Sequence, residues 1–257
     1  MPPSAPTPGF LAPKWEKALH KALIKQSDVN ELPKIAAEYK EARAVAALFE
    51  AIQGAIPAGN YDRARALVAW LHSTGFDPAR DPFITKYLPR AAMTLGIAEG
   101  IEVQLPLDRD SIGLMLAELH QRGGNFAGAV DVVEQLEPTT VTAVSLAELY
   151  AEQGRWDDVV SLTEGLSHDD EASTFLLIQR GVALREQGFH AAAREALKEA
   201  LRIRTRPAEM RQLALVERGK VYIAEGKRAM ARRDFERVLA ENSTYPGIKA
   251  HLAALGD

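Results

Sequence analysis

Apolar residues return at the three- and four-residue spacing of packed helices along most of this chain, and at a spacing of two in one short stretch. The helical part repeats itself. LAELHQRGGNFAGAVDVVEQL (116–136), LAELYAEQGRWDDVVSLTEGL (146–166), RGVALREQGFHAAAREALKEAL (180–201) and RGKVYIAEGKRAMARRDFERVL (218–239) align through their turns without gaps. Their turn glycines are Gly124, Gly154, Gly188 and Gly226, spaced by 30, 34 and 38 residues. Glycine at that point supplies the left-handed conformation that ends a helix. Each helical hairpin leaves an apolar face that only the next repeat can cover, so such a stack is stable collectively.

The mean spacing of 34 residues is the length of a tetratricopeptide repeat (TPR), and the segments resemble that family as a set. Eight positions into each repeat the family places a small residue, matched by Ala117, Ala147, Gly181 and Gly219. Three positions later stand His120, Tyr150, Leu184 and Tyr222, where the family prefers an aromatic or large side chain. After the turn come a small residue and, four later, a bulky one: Ala129/Val133, Val159/Thr163, Ala193/Leu197 and Ala231/Phe235. Val159 and Thr163 fit least well. The match covers residues 111–243. It implies an all-α, right-handed α-solenoid of stacked antiparallel helix pairs, in which small residues let two helices approach and bulky ones fill the space between hairpins.

Outside that block the pattern loosens. IQGAIPAGNYDRARALVAWL (52–71) reads as a degenerate repeat, with Gly59 as its turn glycine and Ala64, Val68 and Leu71 following. Lys14–Lys25 and Asp28–Tyr39 read as a helical pair, so 14–75 forms an N-terminal cap with a degenerate repeat. Residues 76–110 are an irregular insertion. Asp81-Pro82 starts a helix that Pro89 stops. Ile101, Val103, Leu105 and Leu107 then alternate with Glu102, Gln104 and Pro106, which is strand periodicity. A small β-hairpin follows, with strands at about 93–97 and 101–105 and Ala98-Glu99-Gly100 as its loop. The alternative is a helix to Gly100 and an extended linker. Residues 1–13 hold five prolines and read as a disordered arm, whereas 244–257 reads as a capping helix over Tyr245–Leu255.

Composition narrows the chemistry. With no cysteine, disulfides, thiolate zinc sites and cysteine nucleophiles are excluded. No run reaches the roughly 18 apolar residues of a membrane span, and no export signal is present, which points to the cytoplasm. The six histidines (20, 72, 120, 168, 190 and 251) never fall three or four apart, so no helical metal pair exists. His120 reads as a packed residue at a repeat core column. His168-Asp169-Asp170-Glu171 has metal-ligand character, but a solvated loop with helix-starting acids accounts for it better. Gly123-Gly124-Asn125 lacks the lysine and hydroxyl of a phosphate loop. The expectation is a protein with no catalytic residue, metal or cofactor.

The TPR resemblance implies that the first helices of successive repeats line a concave groove through their second, fifth, ninth and twelfth positions. These are Ser111, Leu114, Glu118 and Gln121, then Val141, Val144, Glu148 and Ala151. The third repeat gives Phe175, Ile178, Val182 and Arg185, and the fourth Leu213, Val216, Lys220 and Ile223. Glu118, Gln121, Glu148, Phe175, Ile178, Val182, Arg185, Val216 and Lys220 are the candidate partner-binding residues, with half of the apolar positions expected to pack on neighbouring helices instead. The lysine–asparagine–arginine clamp by which one branch of the family grips chaperone carboxylates is absent.

Net charge is −4, yet residues 123–179 carry eleven acids and one arginine, whereas 180–237 carry fifteen cations and eight acids. Either these are ordinary solvated helix faces or the surface is polarised. The leading expectation is a cytoplasmic adaptor that holds a peptide or helix of another protein. Nucleic-acid binding through Arg202, Arg204, Arg206, Arg211, Arg228, Arg232, Arg233 and Arg237 is the rival, disfavoured by the acidic total and the lack of aromatics among them. Homo-oligomerisation, acidic segment to basic segment, is the third reading.

Overall fold

The computed structural model describes residues 6–98, 101–166 and 170–256. Helices dominate, and the chain divides into two compact units, Met1–Leu95 with Gln104–Glu137 and Gly96–Val103 with Pro138–Asp257.

In the first unit, α1 (Lys14–His20) runs on through a π turn, Lys21–Lys25, and α2 spans Leu32–Glu38. Helix α3 (Arg43–Glu50) also ends in a π turn, Ala51–Ala55, before the turn at Gly59 and α4 (Tyr61–Ser73). The predicted stop at Pro89 holds: α5 covers only Pro82–Tyr87, started by the Asp81 carboxylate, which accepts from the amides of Phe83 at 2.9 Å and Ile84 at 3.0 Å. Phe83 and Tyr87 are buried against α1, their rings meeting Trp15 and His20. The insertion is thereby tied to the N-terminal cap.

The hairpin is present as β1 (Ala92–Ala98) and β2 (Ile101–Pro106). Thr94 and Gln104 face each other across it, the Gln104 amide donating to the Thr94 hydroxyl at 2.6 Å. Gln104 and Pro106 are exposed and Leu107 is buried, the expected alternation. Glu99 and Gly100 of the expected loop lie outside the described residues. Helices α6 (Arg109–Arg122) and α7 (Phe126–Val133) then form the first of the four aligned repeats. Gly113 lets Leu136 seat against α6: a Cβ there would lie 2.5 Å from Leu136 Cδ2.

Among the described residues, the second unit holds three helix pairs and an end helix. These are α8 (Thr140–Glu152) with α9 (Trp156–Leu162), α10 (Glu171–Glu186) with α11 (His190–Ala200), and α12 (Ala208–Ala224) with α13 (Arg228–Glu241). Helix α14 (Ile248–Ala254) starts after a left-handed Gly247, three residues later than Tyr245. The turn glycines Gly154, Gly188 and Gly226 have φ of 67°, 82° and 74°, as the repeat requires. The eighth-position glycines work as spacers: a Cβ on Gly181 would lie 2.5 Å from Leu197 Cγ, and one on Gly219 would overlap the Phe235 ring.

The weakest repeat pair has a local cause. Val159 is fully buried as the column demands, but Thr163 folds its hydroxyl back onto the Val159 carbonyl at 2.7 Å. Arg180 of α10 then donates to the Val160 carbonyl at 2.8 Å and to the Thr163 hydroxyl at 3.3 Å. Where a bulky apolar residue would fill space, this repeat caps a short α9 with an arginine from the next helix pair.

Candidate partner-binding surface

The first helices treat their four repeat positions differently. Leu114, Val144, Ile178 and Val216, the fifth positions, are all buried. Glu118, Glu148, Val182 and Lys220, the ninth, are exposed or half-buried, as are Gln121, Ala151, Arg185 and Ile223, the twelfth. Positions five, nine and twelve lie along one helix stripe. The half of the stripe next to the helix start is closed by packing, and the half next to the turn is open.

Three candidate residues are corrected by this packing. Phe175 is 2 % exposed, Ile178 1 % and Val216 3 %. Phe175 and Ile178 share a core cluster with Val144, Met210 and Ala214, and Val216 belongs to the cluster around Phe235 and Ile248. They hold neighbouring helix pairs together, and no partner can reach them without unfolding the repeat.

The remaining candidates keep surface. In the first unit, Glu118 is exposed and pairs with Arg122 one turn on, at 2.8 Å. The Arg122 guanidinium lies over the Tyr61 ring, 5.4 Å from its centre. Gln121 beside it is half-buried. In the second unit, Glu148, Val182, Arg185 and Lys220 are half-buried and Ile223 is 40 % exposed.

The two cations of that surface are coupled by a residue the repeat columns do not nominate. Glu217, 7 % exposed, accepts from the Arg185 guanidinium and, at 2.6 Å, from Lys220 Nζ. Arg185 also holds Glu186 at 2.6 Å. Burial works against the Arg185 charge, but Glu217 and Glu186 outweigh it and keep the guanidinium pKa above its ordinary value. The pair is therefore a neutralised bridge between α10 and α12 rather than two free charges. The only sequence signal for it is the Glu217–Lys220 spacing of three on α12.

The other nominated chemistry resolves into packing and capping. His120 meets the Asn125 amide at 3.1 Å while Asn125 caps α7 by accepting from the Gly128 amide, and burial pushes the His120 pKa down. His168 and Asp169 lie outside the described residues. Asp170 caps α10 through the Ser173 amide at 2.7 Å, the helix-starting role expected of it. Among the described residues, no three His, Asp or Glu side chains gather closely enough to hold a metal ion. Also among them, no helix is long and apolar enough to cross a membrane.

This architecture is an all-α helical repeat, and solved structures place it more narrowly. The N-terminal domain of the EccA1 ATPase from the ESX-1 secretion system of Mycobacterium tuberculosis superposes with a TM-score of 0.64 at 18 % identity, over 95 % of this chain and 88 % of that one. A thermophilic TPR protein from Thermus thermophilus gives 0.53 at 16 %, over 82 % and 98 %. BtubC from P. vanneervenii gives 0.54 at 15 %, over 95 % and 94 %. The chain has the TPR fold. No protein-family model and no curated protein matches its sequence.

Proposed function

We propose that this protein is a protein-binding scaffold, and that in its second unit the turn-proximal halves of α8, α10 and α12 receive a peptide or helix of a partner. One observation carries the reading: the ninth and twelfth positions stay accessible in every aligned repeat although the fifth positions of the same stripe are closed. A stripe built only for packing would be closed along its whole length. The surface mixes Ala151, Val182 and Ile223 with Glu148 and the Arg185–Glu217–Lys220 bridge. Apolar contacts of this kind supply most of the affinity of a peptide groove, while the charges set register. The bridge leaves little net charge to recruit a partner from a distance, so an amphipathic segment fits better than a strongly acidic one.

A photo-crosslinking residue placed at Ile223 or Val182 tests this in cells of the source organism. Both positions should capture the same partner protein, and the same residue at Glu236 on α13 should not. Capture at Glu236 alone would move the binding surface to the second helices and sink the proposal.

A further inference from the structure

We propose that the second unit also binds a compact oligophosphate, on the side of α12 facing away from the surface described above. The end of α11, the turn after it, α12 and α13 enclose a cavity of about 600 Å³ lined by Lys198, Leu201, Arg204, Arg211, Arg218 and Arg237. Five of those six side chains are cationic. Arg211 and Arg218 each precede Leu213 and Lys220 by two residues, about 200° around the helix, so the cavity and the partner stripe lie on different faces of α12.

The charges do not cancel. Asp234 binds Arg218 through two bonds of 2.7 Å, Glu195 meets Lys198 at 3.3 Å, and Glu241 is shared between Arg237 at 3.3 Å and Arg211 at 3.7 Å. Arg204 is exposed and makes no ion pair among the described residues. Five cations against three carboxylates leave an excess of two positive charges, and none of the three carboxylates lines the cavity. Two of the cations are also held in position. Arg218 is clamped by Asp234, and Arg211 donates to the Arg206 carbonyl at 2.7 Å. The contacts to Glu241 are longer than the roughly 2.7–2.9 Å of a strong charge-assisted bond, so an anion can engage Arg211 and Arg237 without breaking a tight pair.

The lining also selects the ligand class. Among the described residues Leu201 is its one apolar member and no aromatic ring lines it, so it offers no aromatic platform for a base and no apolar pocket for a peptide's side chains. Guanidinium forks match phosphate oxygens in pairs, and several phosphates in a row deliver the charge density that the excess calls for.

Titration calorimetry of the whole chain with inorganic triphosphate tests the assignment. Saturable binding of one anion per chain is expected, weaker at higher salt. Arg204→Gln, at an exposed site, should weaken it about tenfold, the loss of one bond to a charged group. Arg228→Gln, an exposed cation at the far end of α13, should leave it unchanged. Absence of saturable binding, equal affinity in the Arg204 variant and the wild type, or equal losses in both variants would overturn the site. Hexaglutamate binding as tightly as triphosphate would overturn the phosphate assignment.

Discussion

Removing the ring of Phe175 would empty a space shared with Val144, Ile178, Met210 and Ala214, which belong to three successive first helices. The expected cost of Phe175→Ala is about 3–5 kcal/mol, transfer plus cavity. Val182→Ala, seven residues on along the same helix and half-buried, should cost about 1 kcal/mol or less, closer to a surface change. Urea denaturation of the two variants checks the contrast, and equal losses would mean that Phe175 does not anchor the stack. The candidate surface was legible in the sequence only as columns. A column fixes which way a side chain leaves its helix, and Glu118, Val182 and Lys220 emerge where their columns say. How far the neighbouring first helix reaches over the stripe depends on packing between repeats, so the burial of Ile178 and Val216 was not readable. Glu217 was missed for a related reason: its importance comes from Arg185, thirty-two residues away.

At the level of elements, three first helices begin with the same reciprocal cap: Asp108 with Ser111, Thr139 with Thr142, and Asp170 with Ser173. The Asp170 carboxylate accepts from the Ser173 hydroxyl and amide, and these bonds hold its pKa below the ordinary 3.8. A carboxylate with a depressed folded pKa stabilises the fold fully above its unfolded pKa, and that contribution is lost as pH falls through the unfolded and then the folded value. Asp170→Ala should therefore cost about 1 kcal/mol near neutral pH, and the gap to wild type should narrow in acid as the charge-dependent part of the cap is lost. Asp170→Asn keeps the cap without the titration, so its neutral-pH stability should stay near wild type. Denaturation at a series of pH values checks both, and a pH-independent gap for Asp170→Ala would remove the carboxylate from the explanation. Helices of the four repeats were legible because Gly124, Gly154, Gly188 and Gly226 mark their turns. The first unit was harder to read. Its π turns at Lys21–Lys25 and Ala51–Ala55 blur the helical period, and the role of α5 rests on Phe83 and Tyr87 meeting Trp15 and His20 from far along the chain.

For the molecule as a whole, the helices of each unit pack chiefly against those next to them in sequence. Stability in such a chain is close to a sum of local terms, which weakens cooperativity over its full length. Scanning calorimetry should give a calorimetric enthalpy of unfolding larger than the van't Hoff value, and equality of the two would show that all repeats melt as one. Charge shows the same locality. Within the second unit, cations of residues 180–237 pair with acids of the same stretch, Arg194 with Glu225, Arg218 with Asp234, and Arg185 and Lys220 with Glu217. Part of the excess that remains, fifteen cations against eight acids, lies at the cavity of Arg204, Arg211 and Arg237.

The small hairpin has a consequence for handling the protein in concentrated solution. Among the described residues the sheet has two strands, so each strand has one side with no strand beside it. On β2, Pro106 discourages the approach of another chain, because proline offers no amide proton. Strand β1 reads AMTLGIA, seven residues with neither charge nor proline. Irreversible clumping, if it starts from the folded state, has its natural seed there, and a single lysine at Thr94, whose side chain is exposed, would act as a gatekeeper against it.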